Sequence, residues 1–190
     1  VVARLQKLEK FKEMGIEAYP HSFNRSHDSC LLKEKKEEFL ANETTISFAG
    51  RVVRFNRKGK VCFMHLKDRY GRLQVVCARD IVGEENYEVV KLIDLGDFIG
   101  VEGVMFETQT GEYSVKVSSV KMLSKAVRPL PTPKEKIDEN GNKIIFNEFA
   151  DVDTRYRQRY TDMALNDDVK DVFIKRSKIM QSIREYLIEQ

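Results

Sequence analysis

Between Ile46 and Leu123 the chain carries five runs of strand composition, and a helical run falls between the third and the fourth. The strand runs are 46–56, 61–68, 72–79, 97–106 and 113–123. Gly59 and Gly71 mark turns between the first three, and Gly111 marks the turn between the last two. The segment NYEVVKLIDL, residues 86–95, reads as a helix ended by Gly96. Three strands, a helix and two strands is the order of a small closed Greek-key barrel, the five-stranded OB-fold. An SH3-like barrel or an open meander would use the same strands, but the helix in the third connection favours the OB-fold.

The flanks read as helical. Residues 4–14 place Leu5, Leu8, Phe11 and Met14 at helical spacing before Gly15. Asp28 or Ser29 is placed to cap a second helix, LLKEKKEEFL. At Arg128 the pattern changes. RPLPTP holds three of the four prolines and reads as a linker, and residues 134–148 are polar with a turn at Asn140-Gly141. A long amphipathic helix is expected over about 167–190, with Val169, Val172, Phe173, Ile179, Met180, Ile183, Leu187 and Ile188 on its apolar stripe. The chain starts at Val1-Val2-Ala3-Arg4 and stops at Ile188-Glu189-Gln190 without a cap residue, so it reads as a fragment.

Composition excludes several classes. At 42% hydrophobic and 33% charged residues the chain is globular, not disordered. No uninterrupted apolar stretch approaches the length of a membrane span. Cys30, Cys62 and Cys77 form no C-x-x-C pair, which fits a reducing cytoplasm, and Cys62 and Cys77 sit in apolar runs as core fillers. His27 and Cys30 have H-x-x-C spacing without a second pair, so no zinc site is expected. Neither a nucleophile–His–carboxylate pattern, nor G-x-G-x-x-G, nor a P-loop occurs. No catalytic residue is named.

The net charge of +3 points to no acidic partner, so a nucleic-acid site must show as local clustering. Residues 51–60, RVVRFNRKGK, hold five basic residues and no acid. They span the first strand's end and the turn beyond it, beside the face on which OB-folds bind oligonucleotides. A solvated hairpin turn would have the same composition. Alternation adds to the case. Cys62, Met64 and Leu66 form the core face of the second strand, which places Phe63 among polar neighbours. Gln74 alternates with Leu73 and Val75, Arg51 is out of phase with Val52, and Glu112 is in phase with Ser114. Arg51, Phe63, Gln74 and Glu112 are therefore expected to share the barrel's polar surface. Phe63 would offer a stacking plane and Gln74 both donor and acceptor; Glu112 would accept from a base N–H and Arg51 pair with phosphate or a carbonyl. Arg54, Arg57, Lys58 and Lys60 would add weaker phosphate attraction.

The stretches KLEKFKEMGIEAYPHSF, FAGRVVRFNRKGKVCFMHLKDRYGRLQVVCARD, DLGDFIGVEGVMFETQTGEYSV, RPLP and DVDTRYRQRYTDM together resemble the N-terminal part of class II lysyl-tRNA synthetases along essentially the whole chain. The barrel alone would also fit the aspartyl and asparaginyl relatives, or a stand-alone single-strand-binding module. The resemblance implies a barrel that binds the tRNA anticodon, with Phe63 stacking on the central base, Gln74 contacting it, and Glu112 and Arg51 matching further anticodon-contacting positions. The organisation it implies is an N-terminal helical extension over 1–45, an OB-fold barrel over 46–127, a linker over 128–150 and the beginning of a class II α/β catalytic domain over 151–190. For the full-length enzyme it implies ATP and Mg2+, lysine tRNA as partner, a homodimer, no membrane and a cytoplasmic location; no cofactor is expected in this fragment. The arginines of RYRQRY, residues 155–160, are expected to be structural, in a strap between domains, and not a phosphate cluster.

Overall fold

The computed structural model describes residues 1–131, 134–137, 143–146 and 149–190. The chain divides into two compact units, Val1–Pro129 and Leu130–Gln190.

The first unit is built on the expected barrel. Strands β1 (Ile46–Lys58), β2 (Val61–Lys67), β3 (Arg72–Ala78), β4 (Phe98–Glu107) and β5 (Tyr113–Ser124) close in the order β1-β2-β3-β5-β4, with β1 also paired to β4. All pairings are antiparallel except β3 with β5. The alternation in sequence becomes the inside and outside of the barrel: Cys62, Met64 and Leu66 are buried, while Phe63, His65 and Lys67 between them are half-exposed. Cys62 and Cys77 face each other across β2 and β3 as buried free thiols; burial pushes the Cys62 thiol up to about 11. Gly59 supplies the positive φ of the β1–β2 turn. At Gly103, beside a bulge in the β4–β5 ladder, a Cβ would lie 2.1 Å from the Lys116 carbonyl oxygen, so no larger residue fits.

Helices flank the barrel. Helix α1 (Val2–Glu13) ends ahead of Gly15, which takes φ +68°, and buries Phe11 in the barrel's core cluster, while Leu5 and Met14 of the expected stripe stay exposed. Asp28 caps the second helix by accepting from the Cys30 and Leu31 amides. That helix is broken at Lys35 into α2 (Ser29–Glu34) and α3 (Lys36–Asn42), whose Leu32 and Phe39 join the same core. The helix expected over 86–95 appears as α5 (Glu84–Leu92), and a short helix that was not expected, α4 (Arg79–Val82), precedes it. Helix α5 stops short of Gly96 because Ile93 turns extended and its side chain is buried, which leaves Asp94 and Asp97 in the loop to β4.

In the second unit, β6 (Lys134–Ile137) and β7 (Lys143–Phe146) pair antiparallel within the stretch expected to be a linker. The turn expected at Asn140-Gly141 lies outside the described residues. Helices α6 (Val152–Arg157), α7 (Arg159–Leu165) and α8 (Asp167–Glu189) follow. Arg155 and Arg159 of RYRQRY both bond to the buried Asp162 carboxylate, at 3.0 and 2.6 Å, and Asn166 donates to it at 2.7 Å. Burial opposes the charge on Asp162, but these hydrogen bonds and the two guanidinium charges prevail and hold its carboxyl below the usual range. Helix α8 appears at the expected place with no buried residue.

Candidate nucleic-acid interface

Register assembles the site. Arg54 of β1 faces His65 of β2, His65 faces Gln74 of β3, and Gln74 faces Ser114 of β5. Cross-strand partners share a face, so these four form one row on the outside of the barrel. The next row holds Asn56, Phe63 and Val76. A register shift between Val52 and Arg54 brings Arg54 onto this outer face. The sharp turn before β5 presents Glu112: the Thr108 hydroxyl accepts from the Glu112 amide at 3.0 Å, and Gly111 takes φ +77°.

Arg54, His65, Gln74 and Glu112 line two adjoining open clefts. On one side, a cleft of about 270 Å³ is bounded by Phe63, Asn56 and Lys58 and by Thr108 and Thr110 of the hairpin. On the other, a cleft of about 730 Å³ is bounded by Arg72 and Tyr113 and by Lys33 and Lys36 of α2 and α3.

Three of the four expected anticodon positions come together here. Phe63 is half-exposed and lines the smaller cleft. Gln74, at 8% exposure, is more buried than a surface reader would be. Its Nε2 donates to the Ser114 hydroxyl at 2.8 Å, and that hydroxyl donates to the Glu112 carbonyl at 3.0 Å. The amide is thereby held in one orientation. Glu112 is half-exposed, and its carboxylate is 2.9 Å from His65 Nε2. Burial lowers the His65 pKa; Glu112 opposes the shift, and the Arg54 and Arg72 charges reinforce it. The lowered pKa favours the neutral imidazole of His65 at pH 7.

Arg51 does not join them. Its guanidinium lies 4.2 Å from the centre of the Phe98 ring and donates to the Gly96 carbonyl at 3.2 Å. Partial burial lowers its pKa. It shares the outer face, but it stands one row along, opposite Lys67, and the loop before β4 takes up its donors. Of the weaker phosphate candidates, Arg54 and Lys58 line the clefts. Arg57 points instead into a groove with Arg4, Lys7 and Lys91, and Lys60 is exposed at the turn.

Sequence reading passed over His65, Arg72, Lys33 and Lys36. His65 carried a signal, since it alternates in phase with Phe63. The two lysines carried none, because only folding brings α2 and α3 beside β3. The Tyr113 hydroxyl is buried without a hydrogen-bond partner among the described residues, and its ring packs under Lys36. Among the described residues no three His, Cys, Asp or Glu side chains come together as a metal site.

Residues 46–123 match the model of the tRNA anticodon family, described as an OB-fold nucleic acid binding domain. Two curated relatives, both lysine–tRNA ligases of Staphylococcus epidermidis strains (ATCC 35984 and ATCC 12228), are 42% identical over 194 residues. A third, the lysine–tRNA ligase of Streptococcus pneumoniae strain Hungary19A-6, is 42% identical over 191 residues. Each alignment covers 98% of this chain but only 36–37% of the relative, so the chain spans little more than a third of their length. Residues 46–123 therefore match the tRNA anticodon-binding OB-fold family, and nearly the whole chain is similar to part of the lysine–tRNA ligases.

Proposed function

We propose that this chain is the anticodon-reading part of a lysine–tRNA ligase. A loop of lysine tRNA enters the clefts on the outer face of the barrel. Phe63 stacks on the central base, contributing about 1–3 kcal/mol. Gln74 contacts that base's edge, and Glu112, held by His65 and the hairpin, accepts from a base N–H. Arg54 and Lys58 attract phosphate. Arg51 reaches a loop only by leaving Gly96 and Phe98, so the reading rests on the other three. The observation that carries it is the convergence of Phe63, Gln74 and Glu112 on adjoining clefts, in a chain homologous to lysine–tRNA ligases throughout.

The proposal extends to the whole protein. Residues 128–150 join the barrel region to the start of a class II catalytic domain at 151–190. The full-length enzyme is a cytoplasmic homodimer that joins lysine to ATP with Mg2+ and transfers it to lysine tRNA. None of that chemistry is assigned to a residue of this chain.

The test separates reading from chemistry. Lysine-dependent pyrophosphate exchange needs no anticodon contact, whereas charging does. In the full-length enzyme Phe63→Ala is expected to raise KM for lysine tRNA about tenfold or more, by loss of the stacking energy, and to leave pyrophosphate exchange unchanged. Equal charging by the variant would refute the site. Charging of asparagine or aspartate tRNA in place of lysine tRNA would refute the specificity.

A further inference from the structure

We propose that Lys33 of α2, Lys36 of α3 and Arg72 of β3 form a phosphate-binding wall, which holds the ribose–phosphate strand of a single-stranded RNA loop on the side of the cleft away from Phe63. The inference rests on the reading that these clefts take RNA, and it assigns a role to the helices ahead of the barrel.

The charges around the larger cleft do not balance within the protein. Lys33 reaches over the β2–β3 turn, with its Nζ 3.5 Å from where a Cβ on Gly71 would lie, next to Arg72. Lys33, Arg54 and Arg72 form no ion pair among the described residues. The nearby carboxylate of Asp68 makes no ion pair with them. It accepts from the Ser29 amide and hydroxyl at 2.8 and 2.6 Å and from the Tyr70 and Gly71 amides at 2.8 and 2.9 Å. Those bonds dock the start of α2 on the turn and so place Lys33. Lys36 lies over the Tyr113 ring at 5.5 Å, with one loose contact to Glu107 at 3.7 Å.

Like charges brought together on a folded surface repel unless an anion joins them. The cleft they rim contains Gln74, Glu112 and His65, which suit hydrogen bonding to base edges, and it adjoins an aromatic face. An anion that carries bases satisfies both halves; a purely acidic peptide satisfies only the first. The wall is also tied to the core. Leu32 and Phe39 anchor its helices in the core, so it positions a strand as well as attracting one.

The experiment measures binding of a stem–loop with the anticodon loop of lysine tRNA to the full chain, across a salt series. The double variant Lys33→Gln/Arg72→Gln is expected to bind about five- to tenfold more weakly near 0.1 M salt, and to lower the log–log salt slope by about 1.4, since each single-strand phosphate contact contributes about 0.7. Arg72→Lys should keep most of the affinity. Thermal melting of each variant confirms folding, and Phe63→Ala serves as the base-stacking control, weakening binding with the slope unchanged. If Phe63→Ala weakens binding while the double variant changes neither affinity nor slope, the wall is refuted and the base-reading site stands. If the double variant behaves as expected while Phe63→Ala binds normally, the wall stands and the base-reading site falls. If polyglutamate displaces the RNA with the same dependence on Lys33 and Arg72, the assignment to RNA is refuted.

Discussion

The first unit holds two groups of charges built from the same residue types for opposite ends. At the exit of β5, the Lys125 side chain is fully buried and bonds to Asp94 and Asp97 at 2.6 Å each and to the Leu92 carbonyl at 3.1 Å. Asp97 also accepts from the Asp94 and Ala126 amides at 2.7 and 2.8 Å. Lys7 reaches Asp94 from α1, Arg4 donates to the Leu95 and Ala126 carbonyls, and the Tyr19 hydroxyl donates to the Lys125 carbonyl. This clamp ties the N-terminal helix, the loop before β4 and the end of the barrel into one network. On the outer face, by contrast, Lys33, Arg54 and Arg72 form no ion pair among the described residues, although Glu112 lines the same cleft. A buried charge must be paired inside the protein. An exposed charge left unpaired adds little to stability and is available to a ligand. Charge count is therefore uninformative about binding, while the pairing of each charge is informative.

The comparison breaks most visibly at Asp97. Asp97→Ala removes the acceptor for three donors and leaves a buried ammonium short of a partner, so denaturant unfolding is expected to show a loss of about 3–5 kcal/mol. RNA affinity of the molecules that remain folded should not change. A cost below 1 kcal/mol would mean that the clamp is solvated. Gln74 falls between the two groups, because it is both buried and part of the cleft. Gln74→Ala is expected to cost about 1 kcal/mol of stability through the lost hydrogen bond to the Ser114 hydroxyl, which keeps its own bond to the Glu112 carbonyl, and to relax discrimination at one base while leaving other RNAs bound as before. Uniform weakening across loop sequences would show that Gln74 only supports the site. At Tyr113, removing the buried hydroxyl removes an unsatisfied group, so Tyr113→Phe should raise stability by up to about 1 kcal/mol in the same assay. A loss would reveal a partner for that hydroxyl.

A pH titration sharpens the contrast with smaller effects. The folded state holds the His65 pKa below its ordinary value, so the unfolded chain takes up that proton first as pH falls. Its stabilising contribution is complete above about pH 6.5 and is lost as pH drops from there through the depressed folded value. For Asp94, burial opposes the charge, but Lys125 and Lys7 prevail and hold the carboxyl below its usual range. Its contribution is complete above the unfolded carboxylate value near pH 4 and is lost only as pH falls through the lower folded value. Melting temperatures followed from pH 8 to 3 should therefore show a first, small decline absent from His65→Asn and a second that is smaller in Asp94→Asn, where other depressed carboxyls such as Asp162 still contribute. A single decline in the carboxylate range would show that His65 titrates normally.

The barrel was legible because its signal is local. A period of two in β2 and β3 marks inside from outside, and glycines at 59 and 111 supply turn geometry that other residues adopt at a cost. The same period put Phe63 and Gln74 on the outer face, and hairpin phase added Glu112. Arg51 passed the same test and still went elsewhere, because alternation reports the face of a strand and not which neighbour a long side chain finds there. The break at Lys35 within the expected second helix and the extra helix α4 ahead of α5 were not legible either, since they answer to packing against the barrel.

Strand period, turn glycines and the helix in the third connection thus determined the barrel from sequence alone, and the motif resemblance pointed to its family. Which charges are paired was decided only by the tertiary structure. Lys125 and Lys33 are the same residue type in polar company along the chain. One is closed in by Asp94 and Asp97, some thirty residues away, and the other is carried by a helix onto the β2–β3 turn, where it forms no ion pair among the described residues. Ion pairing depends on distance in space and on desolvation, and neither quantity can be read from neighbours in sequence.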